Sequence, residues 1–368
     1  MSIVAQRLDV VRYRSFDEYA LDLSDGVTVL VGHNAAGKTN LIEALQLLTA
    51  GTSFRRPSPG ELVRLGEGAC RMDLSLAGEG RVVDLGCTVR DGKRSFSRNG
   101  KKCTAAGVRG VLPSVLFCPD HLDMVKRSAS VRRDALDDFG VQLNACYADL
   151  VSTYGRTVGQ RNALLKEAWC TRDMLGAWNE SLASTGAALL VHRLSLLDRV
   201  RDRLCEAYAR IAGGERADVR YASSIGDVPE GASRSEQREA AKAAFLAALD
   251  ERADEELRRG LTLVGPHRDE IEFSIDGRPA RAFASQGQQR TLVLAWKVAE
   301  VAVARDILGT APLLLLDDVM SELDAGRRAA FLTLIGDDIQ TVITTTNLGY
   351  FSGDVLGRAK VVEIGAEV

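Results

Sequence analysis

The chain has 368 residues, of which 46% are hydrophobic and 26% charged, as is typical of a globular protein with two or three domains. The formal net charge of −3 excludes a global attraction to polyanions, so binding to nucleic acid would require local basic patches. The seven cysteines form no C-x-x-C pair, and we find neither a signal-peptide segment nor an apolar run of membrane-spanning length. We therefore expect a reduced, cytoplasmic protein.

Residues 1–118 are rich in predicted strands. β-branched runs occur at residues 27–31 (VTVLV) and 81–89, and the second run is followed by RDGK and RNGK. Asp-Gly and Asn-Gly are the preferred turn residues of two-residue β-hairpins. The segment therefore predicts a small meander next to the glycine-rich stretch GHNAAGKTN at residues 32–40.

The glycine-rich stretch matches the phosphate-loop pattern G-x-x-x-x-G-K-[ST]. It follows a short apolar strand and precedes apolar residues at helical spacing, which is the context that the motif requires. A plain strand-to-helix turn is the alternative, and this context disfavours it. The predicted nucleotide-binding residues are Gly32, His33, Asn34, Ala35, Ala36, Gly37, Lys38, Thr39 and Asn40.

Each residue type in this loop has a physical role. Glycines let backbone N–H groups converge on phosphate oxygens, and the start of the following helix adds the positive end of its dipole. We expect Lys38 to neutralise the β and γ phosphates and the Thr39 hydroxyl to bind Mg²⁺. The loop thus predicts binding of a nucleotide phosphate together with Mg²⁺.

Residues 119–259 are predicted to be mainly helical. Apolar residues recur at three- and four-residue steps from Leu136 to Tyr154, and again from Trp178 to Leu204. Helices of about 30 residues reach about 45 Å, enough for a short arm. The heptad signal is too short for a long coiled coil. Residues 226–259 are polar and Ala-rich, and predict a loop with an exposed helix that leads back to the first domain.

Residues 260–368 return to strands, including the runs PLLLLDD and TVITTT. A strand buried on both faces rarely ends in two carboxylates unless they lie beside a ligand at the C-terminal edge of the sheet. Asp317 is therefore a candidate Mg²⁺ ligand, and Asp318 is a candidate catalytic residue that orients or deprotonates the attacking water. Lys38 is the second candidate catalytic residue, through its charge on the phosphates. The predicted fold class is α/β, with one domain built from both chain ends and a helical arm inserted between them.

Two further segments narrow the class. ASQGQQR at residues 284–290 opens a helix and alone would be a capped surface helix, whereas DDVMSELD follows the apolar strand and contains S-x-L-D. Together they resemble the signature motif and D-loop of ABC ATPases, usually LSGGQ and DEPTSALD. The matching residues are Ser285, Gln286, Gly287 and Gln288 for the signature, and Ser321 and Asp324 for the D-loop.

The ABC resemblance implies ATP as the nucleotide, with Mg²⁺, and a head-to-tail dimer. In such dimers the signature helix of one copy caps the γ-phosphate that the phosphate loop of the other copy holds. Because hydrolysis breaks this cap, ATP can drive a change of shape. Ser285 lies about 250 residues after Lys38, a separation too long for a transporter subunit, so a Rad50/SMC-like head with a short arm is favoured.

The chain resembles the RecF family of bacterial recombination-repair ATPases over essentially its whole length. Three family strings carry the resemblance: FCPDHLDMVKRSASVRRDALD at residues 117–137, RNALLK at 161–166 and GPHRDE at 265–270. The resemblance implies an ATP-dependent dimer that binds duplex or gapped DNA near junctions of single and double strands. It also implies work with RecR and RecO to place RecA on DNA in repair, replication restart and the SOS response.

Two departures from the ABC pattern predict slow hydrolysis. Asp318 stands where the usual catalytic residue is Glu, so its carboxylate is one methylene shorter. Thr345, Thr346 and Asn347 stand where the ABC switch histidine is expected. The RecF family shares both features, which implies a switch rather than a fast motor. We identify no Q-loop glutamine.

Basic clusters are the candidate DNA contacts. Residues 93–102 carry five basic residues at two hairpin turns, and residues 126–133 carry four more. For any single residue a solvated surface is at least as favoured, and Arg132 and Arg133 have an alternative as partners of Asp137 or Asp138. With one Phe among them, the clusters predict salt-sensitive backbone binding rather than base stacking. The candidates are Arg55, Arg56, Lys93, Arg94, Arg98, Lys101, Lys102, Lys126 and Arg127, and further Arg156, Arg161 and Lys166.

Some alternatives stay open at this point. His267 in GPHRDE is either structural or placed at the nucleotide or an interface. A compact SMC-like ATPase that bridges DNA is the second hypothesis for function, and condensation of DNA without junction preference would favour it. A transporter subunit would need a membrane partner. A nuclease is disfavoured because we see no acidic metal-binding cluster outside the ATP motifs.

Overall fold

The computed structural model describes residues 3–78, 80–227, 229, 232–335 and 338–365. By its contacts the chain divides into two compact units. The first unit comprises Met1–Asp123, Glu206–Gly213 and Gly287–Val368, and the second comprises Met124–Cys205 and Gly214–Gln286. The predicted domain boundaries lie after residues 118 and 259, whereas residues 260–286 belong to the second unit.

The strands and helices are numbered in chain order. The strands are β1 (Val4–Tyr13), β2 (Phe16–Asp22), β3 (Val27–Val31), β4 (Ala69–Gly78), β5 (Arg81–Arg90), β6 (Lys93–Arg98), β7 (Lys101–Cys103), β8 (Ser114–Phe117), β9 (Ala217–Ala222), β10 (Glu270–Ile275), β11 (Arg278–Pro279), β12 (Leu313–Asp317), β13 (Thr341–Thr345) and β14 (Lys360–Glu363). The helices are α1 (Lys38–Ala50), α2 (Ala105–Val108), α3 (Pro119–Leu122), α4 (Ala129–Leu143), α5 (Ala145–Leu165), α6 (Gly176–Ala212), α7 (Arg234–Arg259), α8 (Ala280–Phe283), α9 (Gln286–Leu308), α10 (Ala325–Ile335) and α11 (Gly353–Arg358).

A parallel sheet forms the centre of the first unit, in the order β14-β3-β13-β12-β8. Every residue of β12 and of β13 is buried, which is why these strands read as continuous runs rather than as alternating patterns. Both chain ends contribute strands to this sheet, and the predicted α/β fold built from both ends is confirmed. The carboxyl ends of β3, β12 and β13 lie at one edge of the sheet, because parallel neighbours share their direction.

An antiparallel sheet forms the second layer, in the order β2-β1-β4-β5-β6-β7. The two predicted hairpins are confirmed: Asp91-Gly92 joins β5 to β6, and Asn99-Gly100 joins β6 to β7. All four turn residues have φ between 49° and 73°, the left-handed conformation that a two-residue turn of this type requires.

Helix α1 packs between the two sheets of the first unit. Its Leu41, Ile42, Leu45 and Leu48 are fully buried, in one apolar cluster with residues of both sheets. Burying four such side chains contributes roughly 6–12 kcal/mol of transfer free energy before entropic costs. The helix that begins at the phosphate loop is therefore fixed by the main core of the unit.

The second unit is mainly helical, and it corrects two details of the sequence analysis. The pattern from Leu136 to Tyr154 is two helices, not one, because the chain breaks at Asn144. The Asn144 side chain caps α5 by accepting from the backbone N–H groups of Cys146 and Tyr147. Helix α6 is 37 residues long, or about 55 Å. Helix α7 is not an exposed helix, since it buries Phe245 and Leu249 completely.

The return of the chain also differs from the prediction. Strand β10 pairs with β9 along its length, so the first strand after residue 260 completes a small sheet of the second unit instead of joining the central one. In the part of the chain that the structure describes, no helix is both long and apolar enough to cross a membrane.

Candidate functional site

The phosphate loop connects β3 to α1 in the first unit. Gly37 has φ of 102°, and a Cβ there would lie 2.5 Å from the Phe16 ring. At Gly32 a Cβ would lie 2.4 Å from the carbonyl oxygen of Ile364. Gly37 therefore requires glycine both for its backbone conformation and because there is no room for a side chain. Gly32 requires glycine only because there is no room for a side chain. The loop is held tightly by the elements that flank it.

Lys38 folds back over the loop. Its Nζ donates to the carbonyl oxygens of Gly32 at 2.8 Å and His33 at 2.9 Å, and the residue is buried. These two bonds fix the ammonium group at the mouth of the loop, at the start of a helix whose dipole also favours anions. The loop and Lys38 together form a cationic cradle for phosphate oxygens.

Thr39 and Asp317 meet at the edge of the sheet although 278 positions separate them in the chain. The Thr39 hydroxyl donates to Asp317 Oδ1 at 2.9 Å, and the Thr344 hydroxyl donates to the same oxygen at 2.8 Å. Burial raises the pKa of Asp317, and the two hydroxyls oppose that rise. Hydroxyl and carboxylate oxygens are the ligands that Mg²⁺ prefers, so this pair fits a magnesium ion bound beside a phosphate.

Asp318 follows directly and is strained. Its φ is 50°, a conformation rare for a residue with a side chain. Its N–H donates to Thr344 Oγ1 at 2.8 Å, while its Oδ1 is buried without a hydrogen-bond partner among the described residues. Burial first, and the neighbouring Asp317 second, raise the pKa of Asp318. A buried acceptor without a partner suits a carboxylate that holds a water molecule.

The turn between β1 and β2 covers the loop, and the sequence analysis missed it. Ser15 Oγ accepts from Asn40 Nδ2 at 3.1 Å, and the Tyr13 hydroxyl donates to the Asn40 carbonyl oxygen at 3.1 Å. Arg14 donates twice, at 3.0 and 2.8 Å, to the carboxylate of Glu43 on α1. A fully buried acid such as Glu43 needs basic and hydroxyl partners, and its place among the leucines of α1 was the signal available in the sequence.

Arg55 also belongs to this edge. The sequence analysis placed it among the DNA candidates, but its Nη1 donates to Asn40 Oδ1 at 2.9 Å and lies 3.4 Å from Glu43 Oε2. Its positive charge lowers the pKa of Asp317. Arg55 therefore lies at the candidate nucleotide site through these contacts, although it is exposed, as is the neighbouring Arg56.

The candidate signature and D-loop residues lie at the ends of two helices. Ser285 is exposed directly before α9, and Gln286 is the first residue of that helix. Gly287 and Gln288 follow in its first turn and are half-buried. Ser321 donates through Oγ to the Asp318 carbonyl oxygen at 2.9 Å, and Asp324 accepts from the backbone N–H of Arg327 at 2.9 Å.

The basic residues of β6 and β7 lie on two faces of the antiparallel sheet. Lys93 and the next residue, Arg94, lie on opposite faces of the sheet. Lys93 is exposed, whereas Arg94 is half-buried and donates to the Pro57 carbonyl oxygen at 3.4 Å. Phe96, on the same face as Arg94, is buried. The exposed basic residues of this hairpin are Lys93, Arg98, Lys101 and Lys102. Lys126 and Arg127 are exposed in the second unit, just before α4.

The family strings of the second unit form one structural network. Arg132 makes a bidentate pair with Glu270 at 2.7 and 2.8 Å, and Asp137 pairs with Arg193, so the expected pairing of Arg132 with Asp137 or Asp138 is corrected. Arg133 donates to the Asp269 carbonyl oxygen at 2.5 Å. The end of the first family string, RRDALD at residues 132–137, is thus joined to GPHRDE by arginine side chains.

RNALLK joins the same scaffold. Arg161 is fully buried and donates to Glu256 at 2.6 Å, Thr262 at 2.8 Å and Asn179 at 2.9 Å. It is therefore not available to DNA, whereas Arg156 and Lys166 are exposed. The charge of Arg161 is neutralised by Glu256, which is itself fully buried.

His267 is structural within this network. Its Nδ1 accepts from the Tyr154 hydroxyl at 2.8 Å, and its Nε2 faces the Thr262 carbonyl oxygen at 3.1 Å. Burial lowers the pKa of His267 to about 4, so the ring is neutral at physiological pH. Of the two interpretations left open by the sequence, the packing favours the structural one.

Three comparisons with known proteins agree with this geometry. The family model described as "RecF/RecN/SMC N terminal domain" matches residues 4–355. The DNA replication and repair protein RecF of Nostoc punctiforme is 37% identical over an alignment of 368 positions that covers 98% of this chain and 97% of that protein.

Solved structures give the same family. The recombination mediator protein RecF-ATPrS in the RecFOR pathway matches with a TM-score of 0.88 and 29% identity, covering 99% of this chain and 97% of that one. RecF-ATP of the same pathway matches with a TM-score of 0.86 and 30% identity, covering 96% and 94%. The chain therefore belongs to the RecF family of DNA replication and repair proteins, with the ABC-type ATPase head fold of the RecF/RecN/SMC group.

Proposed function

We propose that this chain binds ATP with Mg²⁺ at its phosphate loop, dimerises around the nucleotide and binds DNA in recombinational repair. The hydrogen bond from Thr39 to Asp317 carries this proposal, because it joins the loop to the edge of the sheet where a metal ion and a phosphate would meet. Two solved relatives are described with ATP and with ATPrS, which supports the choice of nucleotide.

The chain's own groups divide the work at the phosphates. Backbone N–H groups of residues 32–39 and the Lys38 ammonium bind and orient the β and γ phosphates. Thr39 and Asp317 would hold Mg²⁺, which would supply charge neutralisation on the phosphate oxygens. Asp318 Oδ1, the acceptor without a partner among the described residues, orients the attacking water and takes its proton.

Slow hydrolysis follows from the same residues. Asp is one methylene shorter than the Glu usual in ABC ATPases, so its carboxylate reaches less far toward the water. The raised pKa of Asp318 makes it a better base than an exposed carboxylate, but it cannot correct the distance. Hydrolysis that is slow compared with binding suits a switch whose bound state persists long enough to recruit other proteins.

The second copy completes each site in this proposal. Ser285, Gln286, Gly287 and Gln288 lie at the start of α9, where backbone N–H donors and the helix dipole suit the γ-phosphate held by another copy. DNA then binds through the exposed lysines of the β6–β7 hairpin and through Lys126 and Arg127. Partners of the assembly are RecR and RecO, and RecA acts downstream on gapped DNA.

Sedimentation velocity tests the central step. The wild type is measured without nucleotide, with ADP and with ATP, each with Mg²⁺ and with or without gapped DNA, beside the variants Lys38→Met and Ser285→Arg. The wild type should dimerise with ATP, but neither with ADP nor without nucleotide. Lys38→Met should bind no ATP, whereas Ser285→Arg should bind ATP and stay monomeric. A Ser285→Arg protein that dimerises normally contradicts the trans arrangement of the signature.

The DNA arm of the experiment separates two functions. Preferred binding to gapped over fully duplex DNA supports a role in placing a recombinase at gaps. Equal binding to all duplexes, with several DNA molecules held in one sedimenting species, contradicts that role and favours the bridging ATPase considered from the sequence.

A further inference from the structure

Arginine side chains hold the D-loop segment, residues 318–324, inside the first unit. Arg290 donates to the Glu322 carbonyl oxygen at 2.5 Å and to its carboxylate at 2.9 Å. Arg328 donates to the carbonyl oxygens of Met320 at 3.0 Å and Leu323 at 2.5 Å. Guanidinium groups outside the segment thus bind three of its backbone carbonyl groups, and the backbone conformation of the segment depends on these contacts.

Arg327 makes a different kind of contact, because it joins the D-loop to the first turn of α9. Its guanidinium pairs with Asp324, and its Nε donates to Thr291 Oγ1 at 2.8 Å. The Thr291 hydroxyl donates in turn to the Gly287 carbonyl oxygen at 2.9 Å. One side chain thus links a D-loop carboxylate to the backbone of the candidate signature.

Gly287 is shaped to receive this side chain. A Cβ at Gly287 would lie 2.8 Å from Arg327 Nη2 and 3.3 Å from both Nη1 and Cζ. A distance of 2.8 Å is too short for a carbon beside a nitrogen, so any larger residue would displace the guanidinium. The glycine therefore leaves the space that the Arg327 guanidinium occupies.

The position of this contact distinguishes it from an ordinary surface ion pair. Asp324 ends the segment that begins at Asp318, and Ser321 Oγ holds the Asp318 carbonyl oxygen at 2.9 Å. A shift of the first turn of α9 would move Arg327, then Asp324, and so the segment that carries Asp318. The fold offers a short mechanical path from the signature to the catalytic carboxylate.

We propose that Arg327 is a positioning residue that couples the signature segment to the D-loop, so that ATP bound by one copy engages the next copy in a fixed geometry. The inference rests on the proposed function, since it assigns Arg327 a role in ATP-dependent dimerisation. Arg327 is not required for the nucleotide to bind to its own phosphate loop.

The test uses the full chain and the variants Arg327→Gln, Arg327→Lys, Gly287→Ala and Gly287→Ala with Arg327→Gln. Arg305→Gln is the matched control, because Arg305 is an exposed, ion-paired arginine at the other end of α9. For each variant we measure the ATP affinity at protein concentrations too low for dimerisation. We also measure the protein concentration of half-dimerisation with saturating ATP and Mg²⁺, and the midpoint of thermal unfolding.

Arg327→Gln should raise the concentration of half-dimerisation about tenfold and leave the ATP affinity of the monomer within about twofold. Arg327→Lys should stay defective, because a lysine cannot contact Asp324 and Thr291 with one planar group. The double variant should be no worse than the worse single variant, because both changes break the same contact. Arg305→Gln should match the wild type.

Several outcomes would overturn the inference. Normal dimerisation of Arg327→Gln, additive effects in the double variant, or full rescue by lysine would each remove the positioning role while leaving the ATP-driven dimer intact. An equal loss of ATP affinity in the monomer would make Arg327 a structural residue of the nucleotide site. If Arg327→Gln fails to fold, Gly287→Ala tests the same contact from the other side. A wild type that stays monomeric with ATP instead removes the proposed function, and this inference with it.

Discussion

Two buried charged groups, one in each unit, are handled in opposite ways. In the second unit Arg161 is surrounded by Glu256, Thr262 and Asn179, each within 2.9 Å, so its donors are used inside the fold. At the nucleotide edge of the first unit, Asp318 Oδ1 is buried with no partner among the described residues. A charge satisfied internally supports the fold, whereas an acid left unsatisfied is ready for a ligand.

The difference also has a thermodynamic side. Asp318 combines a positive φ, a buried acceptor and a pKa raised by burial and by Asp317, each of which costs stability. In the arm network the donors of Arg161 are satisfied, and its neutralising partner Glu256 also accepts from the Leu263 N–H at 2.7 Å. An arginine in a family-specific string can therefore be structural, as Arg161 is, while the proposed binding chemistry lies at the strained Asp318.

Removal of Arg161 should give the largest effect on stability. Arg161→Met leaves Glu256 as an uncompensated buried charge, which typically costs about 3–5 kcal/mol of unfolding free energy. Chemical denaturation measures this loss, and ATP affinity of the folded fraction should not change. The exposed Arg156, on the same helix, provides the control Arg156→Ala, which should stay within about 0.5 kcal/mol of the wild type.

A second variant makes this prediction sharper. Arg161→Met combined with Glu256→Gln removes the uncompensated charge and should recover part of the lost stability. If Arg161→Met is as stable as Arg156→Ala, or if it weakens ATP binding without lowering stability, the arm network is functional and the contrast between the units is wrong.

The pH dependence of stability comes next in size. Burial lowers the pKa of His267 to about 4 from an ordinary value of 6.5. Below pH 6.5 the histidine of the unfolded chain binds a proton, whereas the buried ring of the folded chain stays neutral. The free energy of unfolding should therefore fall as the pH drops from 6.5 to 4, by up to roughly 3 kcal/mol. Denaturation midpoints measured across this range should show the loss, and His267→Gln should remove most of it.

Another histidine provides the control. Burial and the nearby Arg238 and Arg234 lower the pKa of His192 in the same direction, but its side chain is only partly buried. His192→Gln should therefore remove less of the pH dependence than His267→Gln. A wild type whose stability is flat between about pH 6.5 and 4 would contradict this prediction, because the folded His267 ring would then take up its proton as readily as the unfolded one.

At the nucleotide edge the expected effect is on binding rather than on folding. Lys38→Met removes a cation that donates only to two loop carbonyls among the described residues, so unfolding free energy should change little. ATP affinity should fall about 100-fold or more, because charge-assisted bonds to phosphate are lost. Calorimetric titration measures this change. A variant that unfolds as readily as Arg161→Met but still binds ATP would reverse the assignment of the two regions.

Much of the fold could be predicted from sequence because the relevant signals are local. The loop from Gly32 to Thr39, the Asp-Gly and Asn-Gly turns and the wholly apolar β12 each depend on a few adjacent residues. The break at Asn144 was missed because α4 and α5 share one apolar spacing, and a capping side chain interrupts it. The pairing of β10 with β9 joins segments about 50 residues apart and leaves no local signal.

Parts of the site were missed for the same reason. Arg55 looked like any exposed basic residue, and only the fold places it against Asn40 and Glu43. Arg132 is followed in its own helix by Asp137 and Asp138, yet it pairs with Glu270, 138 positions away. Charged side chains are long and choose partners by proximity in three dimensions, so sequence identifies which residues are charged better than it identifies their partners.

The smallest expected effect concerns the β6–β7 hairpin, where Lys93 and Lys102 are exposed and Arg94 is half-buried. If each lysine contacts a phosphate, Lys93→Ala and Lys102→Ala should each weaken DNA binding about two- to fivefold. Each should also reduce the slope of log affinity against log salt concentration by about one. Arg94→Ala should instead lower the unfolding free energy, because Arg94 is half-buried against the Pro57 carbonyl oxygen. Fluorescence titration of gapped DNA at several salt concentrations separates the two kinds of residue. If Arg94→Ala changes the salt slope and the lysine variants do not, the DNA surface is on the opposite face of the sheet.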